Sequence, residues 1–274
     1  MGYDLHVHTT ASDGIVSPIG VVRRAIDLKL EGIAVTDHDT VAGISPATEY
    51  INNEGLELDL IPGIELSIDF EQEEVHILGY FIDYRNPKLL EKLILFQEAR
   101  TQRAVKIVEK LNQMGLKVDY DRVREMAIGG LIGRPHIAQV LVEKGYASTI
   151  KEAFRKYIGR GSPAYYPRYK LLPGESIKLI KECGGISVLA HPGHIKNQRI
   201  VGEMIDLGIN GIEVFYPDHS EQQTSYFRKL SQEKGLLITG GSDYHGESAE
   251  RNQLGTIRVE CCYVDNMKSF LGCF

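Results

Sequence analysis

Short apolar runs recur along this chain of 274 residues with helical stretches between them, and that alternation limits the possible folds more than any other feature. "YDLHVH" (3–8) and "GIAVT" (32–36) read as strands, with a helix from Pro18 to about Leu30 between them. "LDLIPGIEL" (58–66) is a third strand, and "EVHILGYFID" (74–83) a fourth, placed to pair with it as a hairpin. After a long break come "GGISVLAHP" (184–192), "INGIEVFYP" (209–217) and "GLLITGGSD" (235–243), with candidate helices at 174–183, 198–207 and 219–234. "GTIRVE" (255–260) is the candidate to close the set. Strand and helix in alternation imply an α/β fold around a parallel sheet, open or closed into a barrel.

The break is a second unit. Residues 88–158 carry helical spacing and few strand signals, as in "LEKLILFQEARTQRAVKIVEKLNQMG" (90–115), "RPHIAQVLVEKG" (134–145) and "TIKEAFRKYIG" (149–159). The expected organisation is a barrel formed by 1–87 and 171–274, with 88–170 as an inserted, mostly helical subdomain. Charge divides the same way. From Arg100 to Lys170 there are fifteen Lys and Arg against six Asp and Glu, a balance of +9. The whole chain carries −6, so the remainder carries −15. A solvated helical face explains part of this; a basic lid beside an acidic pocket points to an anionic substrate. The net charge argues against stable DNA binding, and no apolar run reaches membrane-spanning length. Four cysteines without a CxxC pair, and no secretory leader pattern, lead to the expectation of a cytoplasmic protein.

The chemistry gathers at strand ends. His6 and His8 lie two apart on one strand and therefore on one face. Asp37, His38 and Asp39 follow the second strand, Glu65 falls in the third, and His76 interrupts an apolar strand. His191 follows "ISVLA", and Asp243 and His245 follow "LLITGGS". Such ends are where an α/β barrel builds its active site, and charged groups buried there need a cation or a partner. With no thiolate pair available, imidazole and carboxylate would have to hold any metal; they suit Mn, Zn or Fe, and spacing does not choose among these. Asp37 and Asp4 are candidate acceptors for the ligand histidines, or ordinary turn residues.

"DLHVHTTASDG", "TDHDT", "GIE", "AHPG" and "SDYHG", in this order, resemble the motifs of the polymerase-and-histidinol-phosphatase (PHP) family of metal-dependent phosphoesterases. "GRPHIA" and "GSPAYYPRY" look most like its subgroup of nucleoside 3′,5′-bisphosphate phosphatases and 5′→3′ exoribonucleases. The resemblance implies a distorted (β/α)7 barrel and three divalent ions. The first would take His6, His8, Glu65 and Asp243. The second would share Glu65 and add His76 and His191, and the third would take Asp13, His38 and His245. Its substrate would be a small anionic nucleotide or a short RNA 5′ end. Histidinol-phosphate phosphatase, a small-molecule amidohydrolase and a metal-stabilised, non-catalytic module are the alternatives.

Beyond the ligands, Asp243 and His191 are expected to be essential for turnover. His219 and His194 are candidate proton donors, His194 also a phosphate contact where the subgroup often has arginine. Arg134, at a Gly-rich entry to a helix, is the expected phosphate contact. Arg103, with Arg100, lies on the inserted helix and can turn to the site. Arg168 in "AYYPRY" could pair a phosphate beside stacking tyrosines, or belong to a packed return loop. His136 is expected to cap or pack its helix, and "SIDFEQEEVH" (67–76) to form a solvated turn.

Overall fold

The structure, a computed structural model, describes residues 2–128, 130–167, 171–246 and 252–272. The chain runs β1 (Tyr3–Val7), α1 (Pro18–Asp27), β2 (Gly32–Val35), α2 (Ile44–Glu54), β3 (Asp59–Phe70) and β4 (Glu73–Tyr80). Four helices follow without an intervening strand: α3 (Pro87–Gln113), α4 (Tyr120–Met126), α5 (Arg134–Glu143) and α6 (Ile150–Ala153), the last passing into a π-turn at Phe154–Ile158. The alternation then resumes with α7 (Pro173–Glu182), β5 (Ile186–Leu189), α8 (Arg199–Asp206), β6 (Gly211–Phe215), α9 (Glu221–Lys234), β7 (Leu237–Gly240) and α10 (Cys261–Phe270).

The seven strands pair in sequence order. The sheet nearly closes on itself, because the chain just past β7 returns to β1: His8 N–H donates to Tyr244 O at 2.9 Å, and Tyr244 N–H to His6 O at 3.2 Å. Gly241 makes this approach feasible, since a Cβ there would lie 2.3 Å from the His6 nitrogen. The resulting fold is the α/β, distorted seven-stranded barrel that the alternation implies.

One strand departs from the parallel pattern. β4 runs antiparallel to both β3 and β5. It is joined to β3 by a two-residue turn, Glu71–Gln72, with φ of 46° and 68°. Two successive left-handed residues match the twist of a tight hairpin. The reversal matters for the site. His76 lies near the start of β4, and only because that strand runs backwards does its start reach the rim where the parallel strands end. The expected strand at 255–260 does not form; Val259 makes a single antiparallel bridge to Tyr3 before the chain enters α10.

Local signals account for most helix boundaries. Ser17 caps α1 by accepting the Gly20 N–H, with Pro18 in the first turn. Asn86 caps α3 ahead of Pro87. Ser220 and Gln223 form a capping box on α9, which ends at left-handed Gly235. α2 and α10 have no side-chain cap, and neither does α8, which the sequence still marks by its apolar spacing.

Among the described residues buried apolar side chains form three sets: a small one joins the strands to α10 through Leu5, Ile61, Leu78, Val188, Val264 and Met267, and two larger ones divide the molecule. One surrounds the sheet and takes Val21 and Val22 from α1, Ile180 from α7, Met204 from α8 and Phe227 from α9. The other, running from Ala104 to Ala164, belongs to the inserted helices and includes Ile107, Leu111, Val123, Val140 and Leu141. α3 joins them: Leu89, Leu93 and Phe96 pack on the barrel and Ala104 onward on the insert. Arg100 and Arg103, both buried, fall at the crossover.

Candidate metal centre

Glu65 is the centre of the site. It is 1% exposed, and both of its oxygens face imidazole nitrogens. Oε2 lies 3.2 Å from His6 Nε2, 3.1 Å from His8 Nε2 and 3.1 Å from His38 Nδ1. Oε1 lies 2.8 Å from His76 Nδ1 and 3.2 Å from His191 Nε2. Asp243 Oδ1 completes one wall at 3.1 Å from His8 Nε2 and 3.4 Å from His6 Nε2. Asp13 Oδ1 lies 3.4 Å from His245 Nε2. The nine groups singled out as ligands thus converge on one side of the barrel, six strands (β1 to β5 and β7) and the loop carrying Asp13 supplying them.

Their atoms fall into three overlapping groups compatible with an ion: His6, His8, Glu65 and Asp243; His8, Asp13, His38 and His245; and His38, Glu65 and His76. The first matches the expected set. The second contains the expected third set with His8 added. In the remaining one His38 stands where His191 was expected, although His191 Nε2 also reaches Glu65.

The site fits metal on its own chemistry. His6 Nε2, both ring nitrogens of His8, Asp13 Oδ1, His38 Nδ1 and Glu65 Oε2 are buried without a hydrogen bond. Unpaired buried polar atoms are costly, so a cluster of six needs a resident partner. Donors placed about 2.1 Å from a shared ion stand roughly 3–3.4 Å apart, as several of these do. Electrostatics agree. Burial pushes the carboxyls of Glu65, Asp243 and Asp13 upward, but the surrounding imidazoles outweigh it and hold all three well below the usual range. Burial pushes His38 down to about 3. At His76 and His245 burial is overcome by carboxylates, Glu65 and Asp13 respectively, raising them to about 9 and about 10.

The strand ends bear strain. Asp39, His191 and Asp243 adopt left-handed backbone at φ of 51°, 29° and 52°. Hydrogen bonds from behind hold them there. Asp39 receives the Ser67 N–H and pairs with Arg100, whose Nε donates at 3.0 Å. Asp243 Oδ2 accepts the Tyr216 hydroxyl at 2.9 Å.

Of the two readings of Asp37 and Asp4, their hydrogen bonds match the turn role, and neither side chain is hydrogen-bonded to an imidazole. Asp37 accepts the Thr9 N–H, the Thr9 hydroxyl and the Ser12 hydroxyl, fixing the loop that carries Asp13. Asp4 accepts the Ser242 N–H and hydroxyl and the Gly255 N–H, fixing the loop before Asp243. The histidine partner is Glu213, fully buried in β6. Its Oε1 lies 2.8 Å from His6 Nδ1, and its Oε2 accepts the His191 N–H at 2.7 Å. Sequence reading passed over it, although an acid inside the apolar run "IEVF" carries the same signal that singled out His76.

The outer candidates separate. Arg100, Arg103 and Arg134 line a cavity of about 170 Å³ together with Asp13, His38 and His76. Arg134 opens α5, stands over the Phe154 ring and pairs with Glu74. Arg103 donates to Tyr166 O at 2.9 Å, and Lys110 to Tyr165 O at 2.7 Å, so the return loop is held against α3 through its backbone. Arg168 lies outside the described residues. His194 is on the rim, its ring centre 5.4 Å from that of His191, with Nε2 3.5 Å from Asp218. His219 does not present a free nitrogen: Nδ1 is 3.0 Å from Val214 O and Nε2 accepts the Gly193 N–H at 3.1 Å. It braces the loop after His191, and with both nitrogens engaged it is not placed as a proton donor. His136 accepts the Gly133 N–H at 2.9 Å and caps its helix.

Four similarities to known proteins bear on this geometry. The PHP domain pattern matches residues 4–206. The 5′-3′ exoribonuclease Rnm of Escherichia coli strain K12 is 38% identical over 248 residues, covering 89% of this chain and 85% of its own. The 3′,5′-nucleoside bisphosphate phosphatase of Chromobacterium violaceum is 31% identical over 258 residues, covering 92% and 90%. A solved structure from Bifidobacterium adolescentis, described as a metal-dependent phosphoesterase, superposes with a TM-score of 0.88 at 32% identity over 98% of this chain and 96% of that one.

Proposed function

This chain belongs to the PHP domain family, and from that premise we propose that its centre removes the 3′-phosphate of nucleoside 3′,5′-bisphosphates and trims short RNA from a phosphorylated 5′ end. The broader activity is hydrolysis of phosphate esters with metal ions. One observation carries the narrower reading: the unpaired ligand cluster opens into a cavity that holds three arginines. A phosphate ester with a single anionic group needs only the ions. Arginines on the far wall are suited to a second anionic group.

We assign the ions as manganese, zinc or iron, three in number, on the nine side chains His6, His8, Asp13, His38, Glu65, His76, His191, Asp243 and His245. When bound, such ions neutralise phosphoryl oxygens and make water nucleophilic near neutral pH. The chain's own contributions follow from placement. Glu213 fixes the His6 ring and the His191 backbone together, so two ligand-bearing strand ends keep one spacing. Tyr216 holds Asp243 Oδ2, leaving Oδ1 directed inward. Arg134, at the first turn of α5, holds the terminal phosphate, with Arg103 beside it. His194, half exposed on the rim, exchanges the proton with the leaving oxygen; burial and then His191 keep it below its ordinary pKa.

We read 88–170 as the substrate-recognition subdomain, since the arginines come from it. Histidinol phosphate lacks the second phosphate that Arg134 and Arg103 would hold, and a non-catalytic module has no need of a full donor set. No helix among the described residues is long and apolar enough to cross a membrane. Unpaired Cys183, Cys261 and Cys262 support a cytoplasmic placement.

The test is product release, inorganic phosphate from the monoesters and 5′-mononucleotide from the oligoribonucleotide, with metal content measured on the same sample. The panel is adenosine 3′,5′-bisphosphate, a 5′-phosphorylated oligoribonucleotide and histidinol phosphate. The bisphosphate should turn over with the highest kcat/KM. Faster release from histidinol phosphate would sink the reading.

A further inference from the structure

The acidic hairpin before His76 is solvated at its turn, where Glu71 and Gln72 are exposed, but its acids are also tied to neighbouring elements. Asp69 pairs with Arg160 of the insert. On the opposite side, Glu73 accepts the N–H groups of Lys196 and Asn197, each at 2.7 Å, and Glu71 accepts the Asn197 side-chain amide at 2.9 Å. The strand end is therefore tied on both flanks, and Glu74 between them is fixed. Its Oε2 accepts from Arg134 Nη2, and its Oε1 lies 3.9 Å from His76 Nε2. The carboxylate stands between the ligand cluster and the arginine, in the cavity all three line. That is the space a nucleotide must cross to place one phosphate at the ions and the other on Arg134.

We propose that Glu74 is a resident competitor for Arg134, an internal anion that an incoming terminal phosphate must displace and that retakes the guanidinium when product leaves. The proposal rests on the reading of Arg134 as the phosphate contact. Arg134 is 13% exposed and Glu74 33%, so the pair is neither locked in the interior nor freely solvated. A partly exposed pair of this kind is cheap to open. A phosphate monoester carries more charge than a carboxylate and has three acceptor oxygens, so it can win the exchange. The same exchange keeps the site from holding product too firmly.

The sign of one substitution separates this role from that of a structural strut. Adenosine 5′-monophosphate and adenosine are titrated calorimetrically into the metal-loaded wild type and Glu74→Gln, with Glu74→Ser as a second variant should the first not fold. Removal of a competitor should tighten adenosine 5′-monophosphate about fivefold and leave adenosine unchanged. KM for adenosine 3′,5′-bisphosphate should fall by the same factor, while KM for adenosine 3′-monophosphate stays put. A strut would loosen Arg134 and weaken the 5′-monophosphate, and equal or weaker binding overturns the proposal. If the wild type binds adenosine as well as its 5′-monophosphate, the phosphate reading of Arg134 falls and the proposal falls with it.

Discussion

The ligand cluster and the arginine cavity share a wall, yet they treat charge in opposite ways. In the cluster six buried donor atoms stand without hydrogen bonds, on rigid strand ends, with hydrogen bonds behind them. In the cavity Arg100 is paired to Asp39, Arg134 to Glu74 and Arg103 to a backbone carbonyl. A site for resident ions can leave its donors open, because the ions stay and meet the cost of burial. A site for a substrate that comes and goes can hold a cation on a displaceable partner in the meantime, as Arg134 is held on part-exposed Glu74, while Arg100, on buried Asp39, is a fixed part of the wall. If this contrast is right, substitutions in the cluster cost far more than substitutions in the cavity.

The largest effect should come from Asp243→Asn. The change keeps shape and the Tyr216 contact but removes a charge shared by His6 and His8. Turnover should fall by at least about a thousandfold on every phosphate ester, with the circular dichroism spectrum unchanged. A loss restricted to one substrate would mean that Asp243 contacts substrate and not the ions.

Next is Glu213→Gln, which tests whether the layer behind the ligands positions them. The amide keeps the volume and weakens the acceptor on His6 Nδ1. Metal affinity should drop roughly 10–100-fold, and excess metal should restore kcat. Loss of kcat that metal does not restore would place Glu213 in another role.

The cluster should also exchange protons for ions. Without metal, His76 and His245 are raised to about 9 and about 10, so both are protonated at pH 7. The stability they lend the metal-free protein is fully present below the unfolded histidine value of about 6.5. It is lost as pH rises through 9 to 10. Ligation needs the neutral rings, so metal uptake near neutrality should release protons and tighten up to about tenfold per pH unit for each proton displaced. Calorimetry in buffers of different ionisation enthalpy measures the release, and a heat independent of buffer would refute it.

Legibility in the sequence followed the same division. The barrel could be read because each strand is short, apolar and closed by a turn, and the ligand residues stood out as charges where apolar residues belong. Glu213 obeyed that rule and was still passed over, since nothing nearby drew attention to it. α2 and α10, with uncapped starts, were not legible, whereas equally uncapped α8 was legible from its apolar spacing, and β4 was legible as the return arm of a hairpin even though its turn, Glu71–Gln72, lacks the usual glycine or asparagine. The cavity was harder. Arg134 was visible at its helix start, but its partner Glu74 lies 60 residues earlier, and no local pattern encodes a contact across that distance. His219 shows the converse: a polar residue at a strand end that serves the backbone instead of the reaction.

The smallest effect in this series should come from Arg134→Ala, and its size tests the contrast directly. In the resting protein the guanidinium is already satisfied by Glu74, so a phosphate gains only the difference between two anionic partners. Alanine removes that gain and leaves Glu74 without this cation, adding repulsion of the incoming phosphate. Together these should raise KM for adenosine 3′,5′-bisphosphate about tenfold, kcat changing less. KM for a generic aryl phosphate, which has no second anionic group, should not move. An equal rise on both substrates would mean that Arg134 supports the ligand cluster itself, and the division between open donors and occupied cations would then not hold at the wall they share.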